Sequence, residues 1–488
     1  MAFDNTIKLN TVAPTTPKKP AMQTLANIVL WSLFGINLSL LIIGFNQPID
    51  WNFDPFISIT NFTILIWTTV TFFSAIVSSY ATNYLTGFTY HSAFMIRCLG
   101  FTFSVMLLVM ANHILLVILS WLLMGVFMSQ LIGVNKKWGE AREASKFTLR
   151  YFLTGTGFLS VGLLIPAFYT GVFTITKLTA LISEIPLFIT LISAMCIIGA
   201  AVVQSAMYPF HRWLLSAMTA PTPASALMHA GFVNGAGILL ALFATFLFAS
   251  NTLHILFIIG GLTAIIAQFT KLLQVNVKQK LACSTIAQMG FMIMQCGLGF
   301  FNAAVVHLIL HGFYKAYLFL SSGEEVGQTK PQQPIHLRIQ PLQAFAVLLF
   351  GVLGAVLFAL WTGKGTKLDS GIFLTLIVAI TVGQATYNIV KEKSLSVVQK
   401  SILMPVLFMA GIGIYALMYL GVTQLMADLP MIAQPLPLSW VQLVFGIVFL
   451  LGFFLMKLGI YQKFPWLYVK LLNISQPYKR SVLMYKSK

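Results

Sequence analysis

Three side chains able to carry protons stand four residues apart in "HLILHGFYK": His307, His311 and Lys315. At about 100° per residue they fall at roughly 0°, 40° and 80° around a helix and climb about 12 Å along it. Histidine changes charge near neutral pH, so such a ladder can take up a proton and hand it on. The bland alternative is a pair of neutral histidines bonded to backbone carbonyls, with Lys315 reaching toward one end of its helix. A metal reading of His307 and His311 lacks acidic or cysteine partners beside it.

A second candidate stretch, "QSAMYPFHRWLLSAMTAPTPASALMHAGFVNGAGILL", starts at Gln204. It is apolar yet carries three prolines, the pair His211 and Arg212, and His229. Pro209 removes a backbone donor and crowds the preceding turn, so a helix break is expected there, with carbonyls freed near Ser205 and Ala206. Half-helices within the bilayer are a recurrent way to build ion sites. Gln204 can hydrogen-bond an ion or a water chain but cannot hold a proton. The triplet Gln204, Pro209 and His211 is therefore read as a gate. His229 follows small residues that let helices approach closely; taken alone, it reads more readily as a satisfied core histidine, and its weight comes from standing near a broken helix. Lys278, in "NVKQKLACST", leads a polar stripe (Ser284, Thr285, Gln288) into the next apolar run, although a lysine there also satisfies simple charge topology. The four cysteines sit in apolar segments without metal-ligand spacing and read as small core residues. No metal or other cofactor is expected on this chain.

The elements that must position these groups are membrane helices. Of 488 residues, 58% are hydrophobic and 8% charged, against about 25% charged in soluble domains. The chain is expected to be an all-α polytopic protein in a lipid bilayer. Apolar runs of about 20 residues predict fourteen spans near 24–45, 57–80, 94–110, 112–134, 149–168, 186–218 (broken), 222–248, 253–273, 282–298, 301–321, 341–362, 370–390, 401–421 and 438–460. Residues 1–23 form an N-terminal tail, 24–460 a single transmembrane domain and 461–488 a basic tail. The first apolar run lacks a cleavage site and is expected to be a retained helix. Residues 171–185 are too short and mixed to span, and fit an interfacial helix.

The net charge of +18 follows topology rather than nucleic-acid binding. Of the 29 Lys and Arg, 24 lie in the tails or in alternate connections, which by the positive-inside rule places both termini in the cytoplasm. None of the eleven acidic residues falls at the centre of a span, so the titratable groups within the membrane are expected to be basic.

"YPFHRWLLSAMTAPTPASALMHAGFVNGAGILLA", "NVKQKLACSTIAQMGFMIMQCGLG" and "HLILHGFYKAYLFLSSG" together resemble the proton-conducting membrane transporter family. That family includes the antiporter-like subunits of respiratory complex I and of multisubunit sodium/proton antiporters. The resemblance implies two inverted five-helix repeats, roughly 112–248 and 253–390, with broken helices, and an ion path through His229, Lys278, His307, His311 and Lys315. Two positions depart from the family pattern. Leu122 stands where a glutamate is usual, and Gln204 stands where a lysine is usual.

Within the family the motifs look most like the DabB subgroup, the membrane subunits of inorganic carbon uptake complexes. The resemblance implies a pump in the bacterial cytoplasmic (inner) membrane that conducts protons or sodium ions (H+ or Na+). Its flux would drive a large soluble DabA-like zinc protein on the cytoplasmic face, similar to carbonic anhydrases, which would hold the hydration chemistry. The alternatives are a subunit of a Na+/H+ antiporter or of respiratory complex I, and a membrane anchor that conducts nothing.

Overall fold

The computed structural model describes residues 21–325, 341–390, 397–457 and 463–482. The basic N-tail residues Lys8, Lys18 and Lys19, the last residues of the C-tail, and the connections bearing Lys330, Arg338, Lys391 and Lys393 lie outside the described residues. In chain order the elements are α1 (Ala21–Asn46), β1 (Asp50–Phe53), β2 (Ile57–Thr60), α2 (Asn61–Tyr84), α3 (His91–Met110), α4 (Ile114–Ile132), α5 (Gly139–Thr170), α6 (Ile175–Ala180) and α7 (Leu187–Gln204). They continue with α8 (Arg212–Ser216), α9 (Thr222–Ala230), α10 (Gly235–Leu242), α11 (Ala244–Ala249), α12 (Leu253–Leu272), α13 (Val277–Gly297) and α14 (Phe301–Glu325). The last are α15 (Pro341–Thr362), α16 (Gly371–Val390), α17 (Val397–Leu425), α18 (Trp440–Lys457) and α19 (Pro465–Ile474).

The chain is a polytopic helical membrane protein. Among the described residues ten helices, one of them the interrupted Thr222–Leu242, are long and apolar enough to cross a membrane. Helix also covers the other expected segments, but α13 carries Lys278, Gln279, Lys280, Gln288 and Gln295 and is less apolar. Helices α15, α16 and α18 run for 22, 20 and 18 residues over strongly apolar sequence. Residues 171–185 form α6 and a single 3-10 turn, Ile182–Glu184, rather than a span.

One departure from an all-helical chain is the antiparallel hairpin β1–β2, in register from Asp50↔Thr60 to Phe53↔Ile57. The expected span 57–80 therefore begins later, at Asn61. The hairpin closes one end of the bundle: the amide of Asn112 donates to Phe56 O at 2.8 Å, and Lys177 Nζ pairs with Asp54 Oδ2 at 2.6 Å.

Small residues let the central helices meet backbone to backbone. A Cβ at Gly290 of α13 would lie 2.7 Å from the Ala264 amide nitrogen and 2.7 Å from the Gly260 carbonyl oxygen of α12. Gly297 faces Phe257 and Leu253 in the same way. Close approach through small residues is how helices associate where lipid offers no hydrophobic drive.

The break expected in span 186–218 is present: α7 and α8 are separated by the non-helical residues 205–211, which include Pro209. Helix α7 has already ended at Gln204, and Ala206 turns into the left-handed region at φ 52°. Pro209 is an exposed residue of the turn that follows. A second break, inside the next span, falls after His229. There α9 stops at Ala230, a 3-10 turn occupies Phe232–Asn234, and α10 restarts at Gly235.

Candidate functional site

The break leaves carbonyls that an apolar interior cannot solvate, and the end of α7 supplies their partners. Gln204 Nε2 donates to Phe232 O at 3.0 Å, and Ser205 Oγ donates to Val233 O at 2.7 Å. Asn234 Nδ2 donates to Ala230 O at 2.7 Å and reaches Leu308 O of α14 at 3.4 Å. Gln204 thus holds together α7 and the interrupted α9–α10 segment. With a relative exposure of 2%, it does so without placing a charge in the interior. Sequence reasoning passed over Ser205 and Asn234 as binding groups, although an asparagine between Gly231 and Gly235 in an apolar run was a usable signal.

Helix α14 carries the ladder. His307 and His311 are buried, with ring centroids 6.1 Å apart. Lys315, at 0% exposure, donates from Nζ to Leu281 O of α13 at 3.0 Å. His229 packs flat on Phe319 of α14, centroid to centroid 4.4 Å with 12° between the planes. It lies within electrostatic reach of Lys278, Lys315 and His311. The structure thus brings His229 from the broken segment to the face of α14 that bears His311 and Lys315.

Lys278 stands at the edge of this group. The side chain of Asn276 caps α13, accepting from the Lys278 amide at 2.9 Å and fixing where the helix starts. Lys278 Nζ then donates to Ala220 O, just ahead of α9, at 2.9 Å. The two lysines therefore each bind a main-chain carbonyl, one ahead of α9 and one in the first turns of α13.

His211 and Pro209 lie outside the group. His211 is buried at one end of the bundle, its Nε2 2.8 Å from Ile474 O of α19 and its ring 3.9 Å from that of Tyr208. It joins the C-terminal segment to the turn after α7. Leu122, where a family glutamate was expected, is a partly buried aliphatic residue of α4.

Chemically, the site is a set of buried bases. Among the described residues no carboxylate is buried. Both ring nitrogens of His229, Nδ1 of His307 and Nε2 of His311 have no protein partner. Imidazoles whose centroids are 6.1 Å apart are too distant for a direct hydrogen bond, so a proton could pass between them only by way of a bridging water, for which free ring nitrogens are suitable partners. Neutral imidazole both accepts and donates, so each ring can pass a proton by changing tautomer.

Comparisons with known proteins bear on this architecture. In *Halothiobacillus neapolitanus* the probable inorganic carbon transporter subunit DabB1 is 34% identical over 277 residues, covering 54% of this chain and 49% of that protein. The probable inorganic carbon transporter subunit DabB of *Bacillus subtilis* is 35% identical over 272 residues, covering 54% and 53%. NADH-ubiquinone oxidoreductase chain 5 of *Podospora anserina* is 29% identical over 373 residues, covering 72% and 56%. The chain spans about half the length of these relatives. The archaeal membrane-bound sulfane sulfur reductase shares the fold, with a TM-score of 0.59 at 19% identity over 93% of this chain and 91% of that one. So does the Mrp complex of *Dietzia* sp., also at a TM-score of 0.59, covering 90% and 54%. The family model described as NADH:quinone oxidoreductase/Mrp antiporter, TM, matches residues 111–360, which hold the broken helix, Lys278 and the whole ladder. This chain belongs to the NADH:quinone oxidoreductase/Mrp antiporter transmembrane family.

Proposed function

We propose that this chain is the ion-conducting membrane subunit of an inorganic carbon uptake complex. In this reading protons or sodium ions run down their gradient past His229, Lys278, His307, His311 and Lys315. The complex sits in a bacterial cytoplasmic membrane with both termini inside, and the flux drives a soluble zinc partner on the cytoplasmic face. The observation that carries the ion path is the buried, wholly basic group joining the interrupted helix to α14. A bilayer-spanning protein keeps ionisable side chains in its interior where ions pass. The carbon substrate rests on the likeness to relatives named inorganic carbon transporter subunits.

Conduction does not need the glutamate absent at Leu122. Gln204 secures the break as a neutral donor, and the titratable groups that remain lie on α9, α13 and α14. The partner would supply the hydration chemistry, and this chain the energy.

A test is carbon-limited growth at ambient air in cells producing the chain with its partner. Replacing His311 with alanine should abolish growth in air and leave growth at elevated carbon dioxide intact. Unchanged growth in air at normal protein levels overturns the path. The match to a complex I subunit over 72% of this chain supports a second reading, a respiratory or sodium/proton antiporter subunit. Under that reading purification brings down other membrane subunits of such a complex and no zinc protein.

A further inference from the structure

At the end of the bundle that holds His211, a cavity of about 580 Å³ opens between the start of α8 and the outer side of α19. Its polar groups are the Arg212 guanidinium, the Lys470 ammonium and the Asn473 amide; Trp466 and Val469 supply an apolar wall. Trp466 is 67% exposed and Val469 52%. Among the described residues neither Arg212 nor Lys470 forms a salt bridge, the ion pairs there being Lys146–Glu143 and Lys177–Asp54.

The site is held in place by the main chain. His211 Nε2 meets Ile474 O at 2.8 Å, the Tyr478 amide donates to Ser216 Oγ at 2.8 Å, and the Tyr478 ring stacks on Phe147 of α5 at 4.3 Å. These contacts fix α19 across the ends of α5 and α8. The helix "PWLYVKLLNI" mixes aromatic, aliphatic and basic residues as a helix lying in the headgroup region does. It lies at the end where α5 begins and α12 closes, next to the basic connections.

We propose that this cavity binds the phosphate headgroup of an anionic phospholipid of the adjoining leaflet. A guanidinium offers paired donors matched to a phosphodiester, the lysine adds a point charge, and Asn473 donates to a further oxygen. The apolar wall of Trp466 and Val469 receives the glycerol and the first acyl carbons. Basic pockets at helix ends on the cytoplasmic side are suited to such headgroups. A cation pair beside an exposed tryptophan at the rim of a bundle fits a lipid better than a folded acidic protein, which would leave the indole and Val469 against its own polar surface. The bound lipid would brace α19, and through His211 the turn after α7.

The test is native mass spectrometry of the full chain in detergent, titrated with phosphatidylglycerol or phosphatidylcholine. The first lipid should be retained about thirty-fold more tightly. R212Q combined with K470Q should reduce that preference about thirty-fold, to the phosphatidylcholine level. K280Q, which removes an exposed cation outside the cavity, should leave it intact. Equal retention of the two lipids, or a preference that survives the double substitution, overturns the proposal. Displacement of the lipid by millimolar inorganic phosphate overturns it in favour of a free-phosphate site. Loss of a co-purifying protein from R212Q/K470Q, with lipid retention unchanged, overturns it in favour of a protein partner. A double variant that fails to fold is replaced by R212Q alone, expected to lose about five-fold.

Discussion

Substituting alanine for Gly290 tests whether α12 and α13 are packed backbone to backbone, the contact that positions Lys278 and the carbonyl serving Lys315. The new Cβ would sit 2.7 Å from both the Ala264 nitrogen and the Gly260 oxygen, where ordinary contact begins at 3.4 Å. The helices must therefore separate by about 0.7 Å, because main-chain atoms cannot rotate away as a side chain does. Overpacking of this kind costs about 3 kcal/mol at the upper end, and the better helix propensity of alanine returns about 1 kcal/mol, for a net loss of about 2 kcal/mol. Gly157 of α5 is the control, since a Cβ there meets nothing within 4 Å. Its alanine variant should gain up to about 1 kcal/mol. The assay is thermal unfolding of both variants in the same detergent, in which G290A should melt several degrees below wild type and G157A at or above it. If G290A melts with G157A, the helices are not in the contact described, and the placement of Lys278 and Leu281 fails with it.

Other consequences follow from single contacts. Gln204→Leu leaves Phe232 O without its donor in the interior and should cost about 1–3 kcal/mol, seen as a lower melting temperature. Asn276→Ala removes the side-chain cap of α13 and should cost about 1 kcal/mol, with faster amide exchange confined to the first turn of that helix. Lys177→Ala breaks an ion pair whose members are 60% and 45% exposed. It should change stability by less than about 1 kcal/mol, and a larger effect would show that the β1–β2 hairpin depends on that pair.

The sequence was most informative where function follows from local spacing. His307, His311 and Lys315 share a face because four-residue steps on a helix put them there, and no partner was needed to see it. Gln204 was legible as polar and out of place, but not as the donor to a carbonyl 28 positions away. His211 likewise owes its place to Ile474, 263 residues further on. Pro209 marked the break in span 186–218 but not the residue at which the helix ends. Proline is the strongest local helix breaker, yet the chain had already turned at Ala206 through a positive φ that an alanine does not announce. The second interruption sits among small residues at Gly231–Asn234, where no proline marks it. The β1–β2 hairpin was absorbed into a predicted span because "ISIT" continues the apolar run that follows.

The claim that this basic interior conducts ions is tested most directly in proteoliposomes holding the complete complex, by following an imposed proton or sodium gradient with Lys315 intact or replaced by methionine. Lys315→Met keeps the length of a side chain at 0% exposure and removes its charge. The wild-type complex should collapse one of the two gradients, and the variant should do so at least ten-fold more slowly while retaining its partner. A wild-type complex that holds both gradients, or a variant that dissipates one as fast as wild type, contradicts the account.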